Sequence, residues 1–398
     1  MKLLIIGAGA VGSVVAKKLA EFKDISKIIV GTNDIDRGKE FLGKKSSKII
    51  LVKLDASNTE NIILNAKGVN LIINLSLPDF NIPIMKAALK VGANYQDTCS
   101  RLKNYKVAEQ LKLHEQFKKA GLVALINTGV APGITNLLAR DAADKMDSVE
   151  SIKFRLLEDM DSDKLLFSWS PIVALDELTS PTLQYKNGKF IFVKSFSGIE
   201  EYNFRRNMGI KKVMNVYGDE VSTIPLYIKT KNVEFKCGGK EIDIFKFLFE
   251  LGIMNKHKVS VNSIKISPLA LFLSLCTDVP TPKEMNTLYK EGFIKNAVFA
   301  SSIEVIGYQR DAKILIKKTA IYPDLKTIFK KMKGSSYIAY PTGIAVASFA
   351  RIIPQLTKKG VYPPEVLDSS MRKHILIELN KEGVFFDEEY SQVSKKIR

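Results

Sequence analysis

A glycine pattern at the start of the chain constrains the fold more than any other feature. The apolar run Leu3-Leu4-Ile5-Ile6 leads into Gly7-Ala8-Gly9-Ala10-Val11-Gly12, and a helix-compatible stretch follows over 13–22. An unbroken apolar tetrapeptide suits a strand buried on both faces, as in a parallel sheet covered by helices. In the turn, Gly7 permits the tight bend, Gly9 lets the backbone approach a pyrophosphate and Gly12 lets helix and strand pack closely. Ala10 and Val11, within the glycine motif, are cofactor-binding candidates with them, and the phosphates sit at the N-terminus of the helix that follows. A second apolar strand over 27–30 arrives where a βαβ unit requires it, so the context makes the glycines a dinucleotide-binding fingerprint.

About 20 residues past the last glycine, a carboxylate commonly binds the ribose 2′-hydroxyl of NAD. Here that position falls on Thr32, within Gly31-Thr32-Asn33-Asp34-Ile35-Asp36-Arg37. Thr32 and Asn33 carry no repelling charge and Arg37 is within reach of a 2′-phosphate, so the balance favours NADP. Asp34, two residues on, keeps NAD open. The strand-like run 49–54 ends at Asp55 and Ala56, candidates for the adenine side. Another, 69–75, ends at Leu75, Ser76, Leu77 and Pro78, candidates for the nicotinamide side, because ligands of such sheets bind beyond the carboxyl ends of the strands. A helix over 83–91, a strand over 93–98, a helix over 105–120 and a strand over 122–126 continue the alternation of a Rossmann doubly wound parallel sheet.

With 398 residues the chain exceeds one ordinary domain. Its net charge of +18 would suit nucleic acid, but the 60 basic residues include only ten arginines and are spread along the chain, with no basic-aromatic motif; a solvated surface is the expected reading, with no nucleic-acid partner. The three cysteines and three histidines are scattered, so neither disulfides nor a metal site is expected. Apolar runs are too short to span a bilayer, and no separate apolar stretch with a cleavage site precedes the first strand. A cytoplasmic protein without membrane association is expected.

Several further segments carry a resemblance: Leu54-Asp55-Ala56-Ser57, Gly92-Ala93-Asn94-Tyr95-Gln96-Asp97-Thr98, Gly129-Val130-Ala131-Pro132-Gly133-Ile134-Thr135-Asn136, Phe167-Ser168-Trp169-Ser170-Pro171, Asn187-Gly188-Lys189 and Gly360-Val361-Tyr362-Pro363-Pro364-Glu365. With the opening glycines, they resemble the saccharopine dehydrogenase-like family, which includes saccharopine reductases, lysine 6-dehydrogenases and carboxynorspermidine dehydrogenases. Where members commonly carry a histidine-containing stretch, this chain has Tyr217-Gly218-Asp219-Glu220. The resemblance implies a second α+β domain of mixed sheet: residues 1–125 form the dinucleotide-binding domain, completed by 340–398, and 126–339 bind substrate and form a homodimer. Strand-like runs at 151–157, 189–193, 299–305 and 313–319 and helical spacing at 344–356 and 370–379 agree with it.

The chemistry implied is NAD(P)-dependent oxidation of the C–N bond of lysine or a lysine-derived amine such as saccharopine. Lysine 6-dehydrogenase and carboxynorspermidine dehydrogenase are the alternatives within enzymes, and a catalytically idle cofactor-binding scaffold or sensor is the alternative outside them. The amine must be neutral when hydride leaves, and a base must serve the attacking water. Asp97, with Tyr95 on the same side of its strand, is the first candidate, although Asp-Thr-x-Ser is equally good capping chemistry. Glu220 is the next acid. Trp169, the only tryptophan, and its neighbour Ser170 are candidates for the substrate pocket, as is Asn136. Arg205 and Arg206 are candidates to clamp a substrate carboxylate in bidentate fashion.

Overall fold

Leu3, Leu4, Ile5 and Ile6 are enclosed in the strand Lys2–Ile6, which pairs in parallel with Lys27–Thr32 on one side and Leu71–Asn74 on the other. The structure, a computed structural model, describes every residue except 45, 105, 205–207 and 396–398. Among the described residues a seven-stranded parallel sheet runs in the order Gly360–Tyr362, Val123–Leu125, Asn94–Asp97, Leu71–Asn74, Lys2–Ile6, Lys27–Thr32 and Ile49–Lys53. The chain moves outward from Lys2–Ile6 in one direction, then crosses back to Leu71–Asn74 and proceeds in the other. That reversal opens a crevice at the carboxyl ends of these two strands, where a doubly wound sheet takes its ligand.

The second domain is built on a nine-stranded mixed sheet among the described residues, whose long centre is the antiparallel pair Ser148–Ser162 and Ile294–Gln309. Asn232–Gly238 joins Ser148–Ser162 in parallel, and Ala312–Ile321 joins Ile294–Gln309 antiparallel. Period-two alternation in Ser148–Ser162 puts Ile152, Phe154, Leu156 and Met160 on one buried face. Arg155 points the other way and is also buried, held in ion pairs with Glu200 and Glu234.

Two expectations change. The C-terminal segment divides: helix Ala339–Ile352 packs on helix Ala10–Ala20 and Gly360–Tyr362 extends the first sheet, but Phe385–Lys395 pairs with Ala312–Ile321 in the second. The last strand thereby covers backbone groups that would otherwise form an open sheet edge. The helix expected over 105–120 is cut down to His114–Lys119, preceded by a 3-10 turn, Glu109–Leu113. This turn carries Gln110 inward, where its amide donates to Asp97 Oδ2 at 3.1 Å. Among the described residues no helix is long and apolar enough to cross a membrane, and no cluster of His, Cys, Asp and Glu has a metal-binding arrangement.

Candidate active site

The glycine turn closes without space for side chains. A Cβ on Gly7, whose φ is +113°, would lie 2.5 Å from the Leu75 carbonyl oxygen, and one on Gly12 would lie 1.9 Å from that of Gly7. Gly9 is different: nothing lies within 4 Å of its Cβ position. It precedes helix Ala10–Ala20, which no side chain caps, so the first amides of the helix are available to an anion.

These groups border a cleft of about 490 Å³. Gly7, Gly9, Ala10, Val11 and Gly12 form one wall, and Thr32, Asn33 and Arg37 form the end beyond the second strand. Asp55 and Ala56 lie on one side, with Leu75, Ser76 and Leu77 on the other. Pro78 opens the short turn Pro78–Phe80 and lines a smaller neighbouring cavity instead. Asp34 is committed locally: its carboxylate accepts from Arg37 N at 3.0 Å and caps helix Ile35–Leu42. The Arg37 guanidinium lies 5.4 Å from the Phe41 ring centroid and donates to Val279 O at 2.5 Å. An uncapped helix start, open space at Gly9 and a guanidinium at the ribose end fit a nicotinamide dinucleotide.

A second cavity, of about 190 Å³, adjoins the cleft. Val11, Thr98, Cys99 and Trp169 line both, so the two meet at the nicotinamide end. Its wall includes four acids, Glu158, Glu177, Asp219 and Glu241, and none of the described residues lining it is lysine, arginine or histidine. In a chain of net charge +18 this is a local inversion of sign.

Asp219, 2% exposed, accepts hydrogen bonds from Ser100 N at 2.9 Å and from the Tyr217 hydroxyl. Burial outweighs these bonds and pushes its carboxyl up to about 6. Burial also raises Glu158 to about 7, and Glu241 to about 8 against the opposing hydrogen bond from Tyr337. Glu177 is driven well above the usual carboxylate range, first by burial and then by Asp219 and Glu158. Such acids keep their protons to higher pH when folded than when unfolded, so stability falls as pH rises from about 4 through about 8. We expect the melting temperature of the ligand-free protein to decrease between about pH 5.5 and pH 8.5. A flat or rising calorimetric profile would contradict this electrostatic picture.

The residues singled out in the sequence divide between wall and scaffold. Trp169 faces both cavities and Ser170 borders the cleft. Asp97 is 1% exposed and lines neither; it accepts from Asn127 N at 2.8 Å and from Gln110, tying the end of Asn94–Asp97 to the following loops. Its carboxyl is pushed up to about 7 by burial. Tyr95 is fully buried and donates to Asn81 Oδ1 at 3.0 Å. Glu220 is fully buried and accepts from the Thr135 hydroxyl at 2.7 Å. Asn136 accepts from Gly133 N and donates to Glu365, both at 2.9 Å, which shapes the turn before helix Ile134–Ala143. Arg205 and Arg206 lie outside the described residues.

Sequence reasoning chose Glu220 from Tyr217-Gly218-Asp219-Glu220 and gave Tyr217 and Asp219 no role, and it passed over Glu158, Glu177, Glu241 and Tyr337. One signal existed for Glu158: it continues the buried alternation of Phe154 and Leu156, and an acid on the apolar face of a strand marks either a partnered charge or a ligand site.

A family model described as the saccharopine dehydrogenase NADP binding domain matches residues 3–125, and the saccharopine dehydrogenase C-terminal domain matches 129–384. The chain is 25% identical over 319 residues to carboxynorspermidine synthase of Vibrio cholerae, covering 73% of this chain and 75% of that one. It is 24% identical over 386 residues to carboxyaminopropylagmatine dehydrogenase of Synechocystis, covering 92% and 93%. Apo saccharopine dehydrogenase (L-Glu forming) from Saccharomyces cerevisiae shares the fold, with a TM-score of 0.73, 17% identity and coverage of 98% and 99%.

Proposed function

The chain belongs to the saccharopine dehydrogenase family of oxidoreductases, and we propose that its substrate is a secondary amine carrying one carboxylate and a further cationic nitrogen, a carboxylated polyamine rather than lysine or saccharopine. The observation that carries this reading is the inner cavity, with four acids and no basic side chain among its described residues. Saccharopine brings two amino-acid heads, and their carboxylates would find no cation among these acids, whereas the ammonium of a polyamine arm would draw the acids into their ionised form. One carboxylate can be met at the edge. Arg101 lines the smaller cavity that shares Cys99, Glu177 and Tyr217 with the inner one. The names of the two curated relatives, a carboxynorspermidine synthase and a carboxyaminopropylagmatine dehydrogenase, support the same class.

When bound, the nicotinamide exchanges hydride with the carbon next to the substrate nitrogen. The chain's own residues manage protons and water. In the oxidative direction Asp219 takes a proton from the secondary ammonium, which frees the nitrogen lone pair to expel hydride and form the iminium. Asp219 then takes a proton from the water that adds to that carbon, after its first proton has passed to solvent. It gives this proton to nitrogen and takes the one released by the hydroxyl as the carbinolamine splits into a carbonyl compound and a primary amine. Tyr217, hydrogen-bonded to Asp219, holds the carboxylate in place, and Ser100 N fixes its second oxygen. Phe167, Phe235, Phe245 and Phe299 line the cavity and limit water to what the reaction uses. In reverse, the same residues assemble a carbonyl compound and an amine and reduce the iminium.

The test is to follow reduced-cofactor absorbance with carboxynorspermidine, carboxyaminopropylagmatine, saccharopine and lysine, each with NADP and NAD. Turnover confined to the carboxylated polyamines is expected. Turnover of saccharopine or lysine in preference would overturn the substrate assignment, and cofactor binding with no amine turned over would overturn catalysis. Arg37 at the ribose end favours NADP. Arg37→Ala is expected to weaken NADP binding by roughly tenfold to a hundredfold while leaving NAD within about threefold, since a charge-assisted phosphate contact is lost from one and not the other. Equal losses for both cofactors would refute that role.

A further inference from the structure

Glu158 presents a carboxylate to the inner cavity with no hydrogen bond and no cationic partner among the described residues. An enclosed acid in this state is costly unless something else supplies the counter-charge. Three elements bring its surroundings together. The backbone of Glu158 packs against Gly239, where a Cβ would lie 1.8 Å from Glu158 O, and helix Lys240–Glu250 begins immediately after it with Glu241 in its first turn. Tyr337 donates to Glu241 and orients it. The Phe167 ring lies 5.8 Å from that of Phe245 of the same helix, tilted by 37°, and Ser336 donates to Ser168 O at 3.1 Å, which draws the segment beside Trp169 into this corner. Ser168 is 5% exposed, lines the cavity, and its hydroxyl has no hydrogen-bond partner among the described residues.

We propose that Glu158 and Glu241, with the unpartnered Ser168 hydroxyl, form a seat for the terminal ammonium of a diamine arm. The seat sets the register of the substrate. With the far nitrogen held by Glu158 and Glu241, the inner nitrogen lies toward Asp219 and the junction with the cofactor cleft. An ammonium has three donors and matches two carboxylates and a hydroxyl, whereas a methyl group leaves all of them unpaired. The seat thus selects a substrate with a second cationic nitrogen over a monoamine of equal length. This inference deepens the functional reading above and rests on it.

The test uses calorimetric titration of the NADP-saturated protein with 1,3-diaminopropane and with propylamine, which differ in one terminal nitrogen. Wild type is expected to bind the diamine at least about tenfold more tightly, and Glu158→Gln and Glu241→Gln are each expected to bring the two amines to within about threefold, because charge-assisted bonds are lost on one ligand only. Tyr337→Phe, which keeps both carboxylates, is expected to give an intermediate ratio; it serves as the reporter if either glutamine variant fails to fold. A wild type without diamine preference overturns the seat, as do folded variants that retain the full preference. Diamine preference without turnover of any amine overturns the catalytic reading and leaves the seat standing. Turnover of a carboxylated polyamine without diamine preference does the reverse.

Discussion

Alanine at position 9 is expected to leave the protein folded while weakening its affinity for the nicotinamide dinucleotide by roughly a hundredfold, because this glycine exists for close backbone approach to a pyrophosphate. The local geometry separates stability from binding. Gly9 has φ −78°, which alanine adopts readily, and its Cβ position has no neighbour within 4 Å. The added methyl therefore meets nothing in the free protein, and the melting temperature should stay within a few degrees of wild type. It does, however, stand before the uncapped start of helix Ala10–Ala20, on the surface that a pyrophosphate must touch. Gly12→Ala makes the contrast, since its Cβ would lie 1.9 Å from Gly7 O and must break the turn itself. That variant is expected to lose stability as well as binding. Titration by cofactor fluorescence beside a thermal melt reads both quantities. An unchanged dissociation constant in a folded Gly9→Ala protein would remove the glycine turn from the cofactor site.

Asp219→Asn is expected to lower kcat by about a hundredfold to ten-thousandfold, the ordinary contribution of a positioned acid-base group, without a comparable change in cofactor affinity. Burial raises this carboxyl to about 6, which places it near the working range of a base. Amine oxidation requires its ionised form. The rate for wild type should therefore fall as pH drops below about 6, with the ionised fraction shrinking about tenfold per pH unit. The variant cannot titrate there, and its low rate should lack this limb. Tyr217→Phe removes a hydrogen bond to the ionised form, so it should move the limb upward in pH and cost less in kcat than the loss of the carboxylate. A full rate in Asp219→Asn, or a limb near pH 6 that survives it, would assign the proton chemistry to another group.

The opening strand, the three glycines and the absent carboxylate at Thr32 were legible because each is a local requirement: a strand buried on both faces, a turn without side chains, a helix start that accepts an anion. Every residue of the glycine turn expected at the cofactor borders the cleft. The resemblance of the later segments extended the reading to a second domain of mixed sheet, which the family match and the fold bear out. Asp97 was a fair sequence candidate, since it ends a strand at the right edge of the sheet. Its side chain instead joins Asn127 and Gln110, and Gln110 arrives there only because the expected helix gives way to a 3-10 turn.

The sequence by itself determined what depends on near neighbours along the chain: the βαβ start, the cofactor class and the pattern of strands and helices. Tertiary structure alone decided which acids share a cavity. Glu158, Glu177, Asp219 and Glu241 come from a long strand, two helices or their starts, and a loop end, separated by up to 83 positions. No spacing rule links them, and each read alone is an ordinary acid in a basic chain. Burial changes their meaning. Once the second sheet and the helix after Gly239 enclose them without a cation among the described residues, desolvation raises their pKa values and leaves their charge to be met by a ligand. That energy depends on surroundings assembled from distant parts of the chain, so no local pattern in the sequence carries it.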